Sequence, residues 1–396
     1  MAIETPLKSE HQELGAAFAE YFGCNLPANY GDAQREYKFA RESVALIDKN
    51  YRCVFSFTGK DRVRYLNAML TGNIRDLAAG HGNVSLLLNP QGRILAEVEA
   101  LALEDRLLVI SFAMIRARLI ETFDKFIIMD DVTLEDVTDK FGTLALEGPE
   151  AAEIVRELCG TDLNALEDFA HVENTIAGIS CRVIRTSAGE IPGVEFLTPR
   201  ENLAALWNLL LIAVKKHGGG PVGYEALNVL RLEEGVAWYG VDFDENQIPH
   251  QASLEATHIS YTKGCYTGQE IVERVRSRGQ IQRRRVMLRF SGDAIPRAGE
   301  PLFAPSAQDS VEHDAENKTE RSAENPAEPS TENPAGRGAE IGFVTRAARS
   351  PKFAAVIGMG YVRREQMDPG SKVKWSGGTS EVFEIPPTRK KSDSCT

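Results

Sequence analysis

Apolar residues along this chain switch repeatedly between two rhythms. In AQREYKFARESVALI, residues 33–47, Tyr37, Ala40, Val44 and Ile47 share one stripe at helical spacing. CVFSFTG then alternates as a strand does and stops at Gly59. DRVRYLNAMLTGNI restores the helical period, with Asp61 placed to cap it and Val63, Leu66 and Leu70 inward. From Asn83 the pattern is strand, NPQG turn, strand, polar ED turn, strand, which predicts an antiparallel meander ending in LLVISF. AMIRARLIETFDKFII follows as a helix on Ile115, Leu119, Phe123 and Phe126, and DDVTLEDV is extended.

The second half repeats this mixture. FGTLALEGPEAAEIVRELC predicts a strand, a break near Pro149 and an amphipathic helix, before a strand near 180–186 and another in GEIPGVEFLTP. Leu203, Leu206, Leu210 and Val214 define a helix over 200–216, stopped by HGGG. PVGYEALNVLRLEEG restarts a helix with Pro221 early in it and Arg231 near its end. After Gly279, RRRVMLRF begins a series of short strands, IGFVTRAA, FAAVIGMGYV, SKVKWS and EVFEI, that reads as a small β-domain. Helices and hairpins mix without regular βαβ alternation, so the predicted fold class is α+β.

Composition narrows the picture. The 396 residues are 43% hydrophobic, enough for two or three cores. No apolar run of membrane-spanning length occurs, and MAIETPLKSEHQELG has neither the basic nor the apolar region of a secretory signal, so a cytoplasmic protein without membrane contact is expected. Six dispersed cysteines without a CxxC, and seven scattered histidines, argue for reduced thiols and against a zinc site. The formal charge is −12, and residues 306–340 alone carry nine acids against Lys318, Arg321 and Arg337. That Pro-, Glu-, Ser- and Asn-rich stretch cannot bury enough surface to offset ordering, so a disordered insert over 305–340 is predicted. The arginines from Arg274 to Arg289 lack interleaved aromatic residues, so they are read as a solvated surface and not as a nucleic-acid site. Neither a Walker A nor a GxSxG motif is present.

Candidate chemistry gathers in KGCYTGQE, residues 263–270. Thr267 and Glu270 have capping-box spacing before Ile271 and Val272. Cys265 then stands just outside a helix N-terminus beside Lys263, where positive potential favours thiolate. The other reading is a tight turn, shaped by Gly264 and Gly268, whose cysteine is merely half buried. On the strand after NPQG, Glu97 or Glu99 is either a general base on a pocket wall or a solvent-facing acid. In GVEF, Glu195 either meets water or hydrogen-bonds a ligand, and Arg231 either pairs with Glu233 or Glu234 or serves a ligand.

These motifs converge on one resemblance. KGCYTGQE resembles the signature of the YgfZ-type folate-binding proteins, relatives of the glycine cleavage T-protein, an aminomethyltransferase. EYKFARESVALID, FTGKDRVRYLNAMLTGNI, SLLLNPQGRIL, GVEF, LRLEEGVAWYGVDFDENQIPHQASLE and IGFVT are similar to segments of the wider T-protein group. The resemblance implies a ring-like arrangement of T-protein-like α+β subdomains with a small C-terminal β-barrel. The folate-binding region would be 1–282, dividing near 140, and the barrel 283–385, interrupted by the acidic insert. It implies tetrahydrofolate, or a one-carbon derivative, held by Glu195 at the pterin and Arg231 at the anionic tail, with Asn89, Lys263, Tyr266 and Gln269 alongside and Cys265 as a bordering thiol.

The T-proteins carry an Asp pair where this chain has Ala96 and Glu97. A methyl group is no base, and a regular strand turns Glu97 to the opposite face from Ala96. The resemblance on this ground implies support of iron–sulfur cluster assembly or repair in client proteins. A folate-dependent aminomethyl- or methyltransferase using Glu97, and a non-catalytic interaction scaffold, are the alternatives.

Overall fold

The computed structural model describes residues 2–279, 281–305 and 338–385, so the predicted insert lies, from 306 to 337, outside the described residues. Contacts divide the chain into two units, one made of Met1–His250 with Leu254–Gly279, the other of Gln251–Ser253 with the residues from 281 to Ile385.

The first unit is built on three sheets. A small one orders β1 (Ile3–Glu4), β3 (Cys24–Asn29) and β2 (Ala17–Tyr21). A five-stranded sheet runs β6 (Gly82–Leu88), β7 (Ile94–Ala102), β8 (Leu107–Phe112), β5 (Arg52–Thr58) and β9 (Thr133–Asp136), so the predicted meander forms its first half. A six-stranded sheet runs β11 (His171–Ile176), β12 (Ile179–Ala188), β13 (Ile191–Pro199), β10 (Phe141–Glu147), β4 (Ala45–Asp48) and β14 (Gly220–Pro221). Helices α1 (Lys8–Glu13), α2 (Ala33–Glu42), α3 (Arg62–Met69), α4 (Arg116–Phe126), α5 (Ala151–Cys159), α6 (Leu203–Lys216), α7 (Tyr224–Glu233), α8 (Glu255–His258) and α9 (Gln269–Arg278) complete it. The apolar stripe of α6, Leu203, Leu206, Leu210 and Val214, packs with Trp207 onto Leu144, Leu146, Val194 and Phe196 of the six-stranded sheet. Burying side chains of this size stabilises by about 1.5–3 kcal/mol each.

Several local expectations change. The helix of 33–47 ends at Glu42, because Ala45–Asp48 leaves it to pair with β10. Asp32 caps it, accepting from the backbone N–H groups of Gln34 and Arg35 at 3.0 Å. Asp61 does not cap α3 with its side chain, which instead accepts the Asp131 N–H at 2.9 Å. Pro221 does not open α7: it ends a two-residue strand beside β4, and the helix begins after Gly223. The Thr267–Glu270 capping box is absent too. Gly268, at φ +82°, starts α9, Glu270 pairs with Arg274 at 2.8 Å, and a Cβ on Gly268 would sit 2.6 Å from the Asn89 carbonyl oxygen.

The second unit is a closed barrel in the order β15 (Arg283–Phe290), β18 (Ala355–Arg363), β17 (Glu340–Ser350), β16 (Pro301–Phe303), β19 (Lys372–Trp375) and β20 (Gly378–Phe383). Val286, Leu288, Phe290, Val344, Val356 and Val382 fill its core. Arg285 departs from the solvated-surface reading, being buried with its guanidinium on the Ala252 carbonyl and Met359 Sδ. The fold is thus α+β with a closed six-stranded barrel. Among the described residues no helix is long and apolar enough to cross a membrane.

Candidate functional site

Strand ends and turns of the first unit enclose a cavity of about 760 Å3, within the usual range for small-molecule sites of roughly 300–1,000 Å3. Its walls carry Tyr51, Phe112, Tyr224 and Trp238 as flat apolar surfaces, with charged groups set between them. Glu195 sits in the middle of β13, paired in the ladder with Ala145 and Ile184, which holds it in a packed sheet with 1% exposure. Lys49, just past β4, and Arg52, opening β5, both donate to Glu195 Oε1, at 3.0 and 2.8 Å. Lys49 also pairs with Glu147 at 3.0 Å, and Arg52 with Glu99 at 2.7 Å. This is a ring of three carboxylates and two cations.

Its electrostatics separate the acids. Burial alone would raise the Glu195 carboxyl, but Arg52 and Lys49 outweigh burial and hold it below the usual carboxylate range. Glu99 goes the other way: burial, reinforced by the Glu195 charge and only partly opposed by Arg52, pushes it up to about 7. Two buried oxygens of this ring, Glu195 Oε2 and Glu99 Oε2, have no hydrogen-bond partner among the described residues. A buried acceptor left without a donor costs about 1–3 kcal/mol, which a ligand bearing N–H groups recovers.

Glu97 stands on the cavity wall and not in open solvent. Along β7, Ala96 is fully buried in the core while Glu97 and Glu99 both line the cavity. The alternation that was read as turning Glu97 away turns Ala96 away instead. Glu97 Oε1 is 2.9 Å from His258 Nε2.

Arg231 lines the cavity but is committed elsewhere. Its guanidinium pairs with buried Asp242, donates to Asn228 Oδ1 at 2.9 Å and lies 4.7 Å from the Trp238 ring centre. Glu233 and Glu234 both pair with Arg41. The guanidinium thus meets the cavity already paired with a carboxylate.

The octet stands apart from these walls. Cys265 is exposed and does not line the cavity, so the hollow expected to be shared by Glu195 and Cys265 is bounded by Glu195 alone. Lys263 Nζ donates to the carbonyls of Asn67, Leu70 and Gly72 at the end of α3. Tyr266 is buried under that ammonium, 5.1 Å from ring centre to Nζ, and Gln269 Oε1 accepts the Tyr266 N–H at 3.4 Å. Asn89 Oδ1 accepts from Gln91 and Arg93 within the NPQG turn. None of Asn89, Lys263, Tyr266 or Gln269 lines the cavity. Among the described residues no group of three metal-ligating side chains occurs.

The residues missed by sequence reasoning are Lys49, Arg52, Glu147, Trp238 and His258. A usable signal existed in LIDKNYRCVF, where two cations interrupt two apolar strands that both enter sheets.

Comparison with known proteins agrees with this architecture. Residues 7–261 match the family described as GCVT N-terminal domain, and residues 283–379 match the glycine cleavage T-protein C-terminal barrel domain. An aminomethyltransferase of Rubrobacter xylanophilus is 30% identical across 75% of this chain and 79% of its own. One from Saccharopolyspora erythraea is 27% identical across 94% of this chain and 93% of its own. The crystal structure of the glycine cleavage system aminomethyltransferase T from Bartonella henselae superposes with a TM-score of 0.82 at 22% identity, over 98% of this chain and 99% of that one, which shows a common fold. The chain belongs to the glycine cleavage T-protein family, its cavity-bearing unit corresponding to the N-terminal domain and its closed barrel to the C-terminal one.

Proposed function

We propose that the protein binds a reduced folate in this cavity and is a folate-dependent aminomethyl- or methyltransferase. The observation that carries the reading is that Glu97 and Glu195 line one cavity, Glu97 held by His258 and Glu195 by Lys49 and Arg52. A pterin presents N–H donors on its amino-pyrimidine edge, and Glu195 Oε2 is a buried, charged acceptor without a donor. The aromatic walls suit a flat heterocycle. When a folate amine attacks the transferable carbon, the new N–C bond forms as the bond from that carbon to its carrier heteroatom breaks, the electron pair leaving with the carrier; Glu97 takes the amine proton and returns it to the departing heteroatom. Relatives named aminomethyltransferase support this arm.

A second reading, folate-dependent support of iron–sulfur client proteins, is favoured by the octet KGCYTGQE and the exposure of Cys265. In that reading the thiol acts at the protein surface and not on the folate.

Calorimetry with tetrahydrofolate tests both. Saturable one-site binding, weakened at least tenfold by Glu195→Gln, is expected; a flat titration sinks both and leaves the scaffold. Transfer to tetrahydrofolate from an aminomethyl or methyl donor then separates them, with Glu97→Gln lowering kcat by about 10²–10⁴ if the transferase reading holds.

A further inference from the structure

His258, at the end of α8, is buried at the cavity wall beside Glu97. Its ring is fixed on both sides, by Glu97 Oε1 at 2.9 Å from Nε2 and by Thr257 Oγ1 at 2.7 Å from Nδ1. Thr257 Oγ1 also reaches the Leu254 carbonyl at 3.4 Å. The His258 backbone is tied as well: its N–H donates to the Leu254 carbonyl at 3.0 Å and its carbonyl accepts the Thr71 hydroxyl at 2.7 Å.

This arrangement satisfies two protonation states. A carboxylate only accepts, so Nε2 carries a hydrogen toward Glu97. In the neutral ring Nδ1 accepts the Thr257 hydroxyl. In the imidazolium Nδ1–H donates to Thr257 Oγ1, and the hydroxyl hydrogen turns to the Leu254 carbonyl. Neither state strands a buried polar group, so the ring gains or loses a proton in place. Because His258 occupies Oε1 of Glu97, the second carboxylate oxygen is left to the cavity.

We propose that His258 is a positioning residue for Glu97: it aims the carboxylate into the cavity, and its own charge sets how strong a base that carboxylate is. The catalytic consequence rests on the folate-transfer reading; the pairing does not. The cavity that the ring lines also carries the cations Lys49, Arg52 and Arg231 and the acids Glu147, Glu167, Asp168 and Glu195. Glu97 comes from β7, with Glu99 two residues further on the same wall; Asp76 lines the same cavity; Glu255 lies on α8 itself. The adjacent strand β6, GNVSLLL, has no ionisable side chain. An imidazolium beside Glu97 weakens it as a base and a neutral ring strengthens it. One-carbon transfer therefore rises with pH through the His258 midpoint.

The test begins with the free protein. The imidazole NMR titration of His258 is compared in the wild type and in Glu97→Gln, where losing the adjacent anion moves the midpoint down. An unchanged midpoint overturns the proposal whatever the folate titration shows. His258→Gln keeps an N–H donor for Glu97 but cannot titrate. Measured against the wild type with tetrahydrofolate and an aminomethyl donor, it loses the rising pH limb of kcat while KM stays within about threefold, and a limb that persists in this variant also overturns the proposal. If the wild type binds no tetrahydrofolate, the transfer reading fails separately, and the His258 midpoint still decides the pairing.

Discussion

Arg52 Nη2 lies 2.8 Å from Glu195 Oε1 in the cavity wall, and the same guanidinium carries Glu99 on its other nitrogen at 2.7 Å. One cation therefore answers two buried acids. Lys49 pairs directly with only the first of them.

Replacing Arg52 by Met strips that compensation while leaving both carboxylates in place. Breaking a buried pair from one side costs about 3–5 kcal/mol. Urea denaturation of Arg52→Met is expected to show a loss of that order, and adding Glu99→Gln to the same chain is expected to restore part of it. An R52M chain as stable as wild type would show that the ring is not the electrostatic unit described.

Glu99 makes stability depend on pH in a defined direction. Its carboxyl is raised from the ordinary 4.5 to about 7, so between these values the folded chain holds a proton that the unfolded chain has lost. The contribution is fully present below 4.5 and disappears as pH rises through 7, with a slope of up to about 1.4 kcal/mol per pH unit. Glu99→Gln should remove this slope, seen by comparing denaturation midpoints of the two proteins from pH 5 to pH 7.5.

Lys263 is predicted to matter for folding and not for ligand. Its ammonium serves three backbone carbonyls after α3, and charge-assisted bonds of this kind are worth about 1.5–3 kcal/mol. Lys263→Met should lower the melting temperature while leaving the tetrahydrofolate affinity of the folded protein unchanged. A selective loss of affinity would return Lys263 to the binding site.

Thiol chemistry should be dominated by exposure. Burial pushes Cys24 up to about 11 and Cys53 and Cys181 up to about 12, while Cys265 is exposed. Alkylation of the native protein at pH 7.5 should modify Cys265 well ahead of these three, with Cys265→Ser removing one fast equivalent. Equal rates at Cys265 and Cys53 would contradict the placement of both.

The fold was largely legible because its signals are local. The stripe of α6, the NPQG turn and the alternation of β15 each lie within a single element. Boundaries failed where a tertiary partner outbid local propensity, as at Ala45–Asp48, whose helical-looking period gives way to pairing with β10. In the site, Glu195 was visible as an acid inside an apolar strand. The ring around it was not, since Lys49, Arg52, Glu99 and Glu147 lie on separate strands that only the sheets bring together. Periodicity shows that Ala96 and Glu97 point oppositely but not which of them meets the core. His258 carried no motif at all.

The barrel strands β16 and β17 are neighbours whose ladder partners include Phe303 and Glu340. Chain that departs after the first must come back to the second, whatever it does between. Length can then accumulate at that doorway at little thermodynamic expense, roughly 0.6 kcal/mol for each doubling, without displacing a rung. Grafting a short glycine-containing hairpin across that doorway is therefore expected to leave both flanking strands in register.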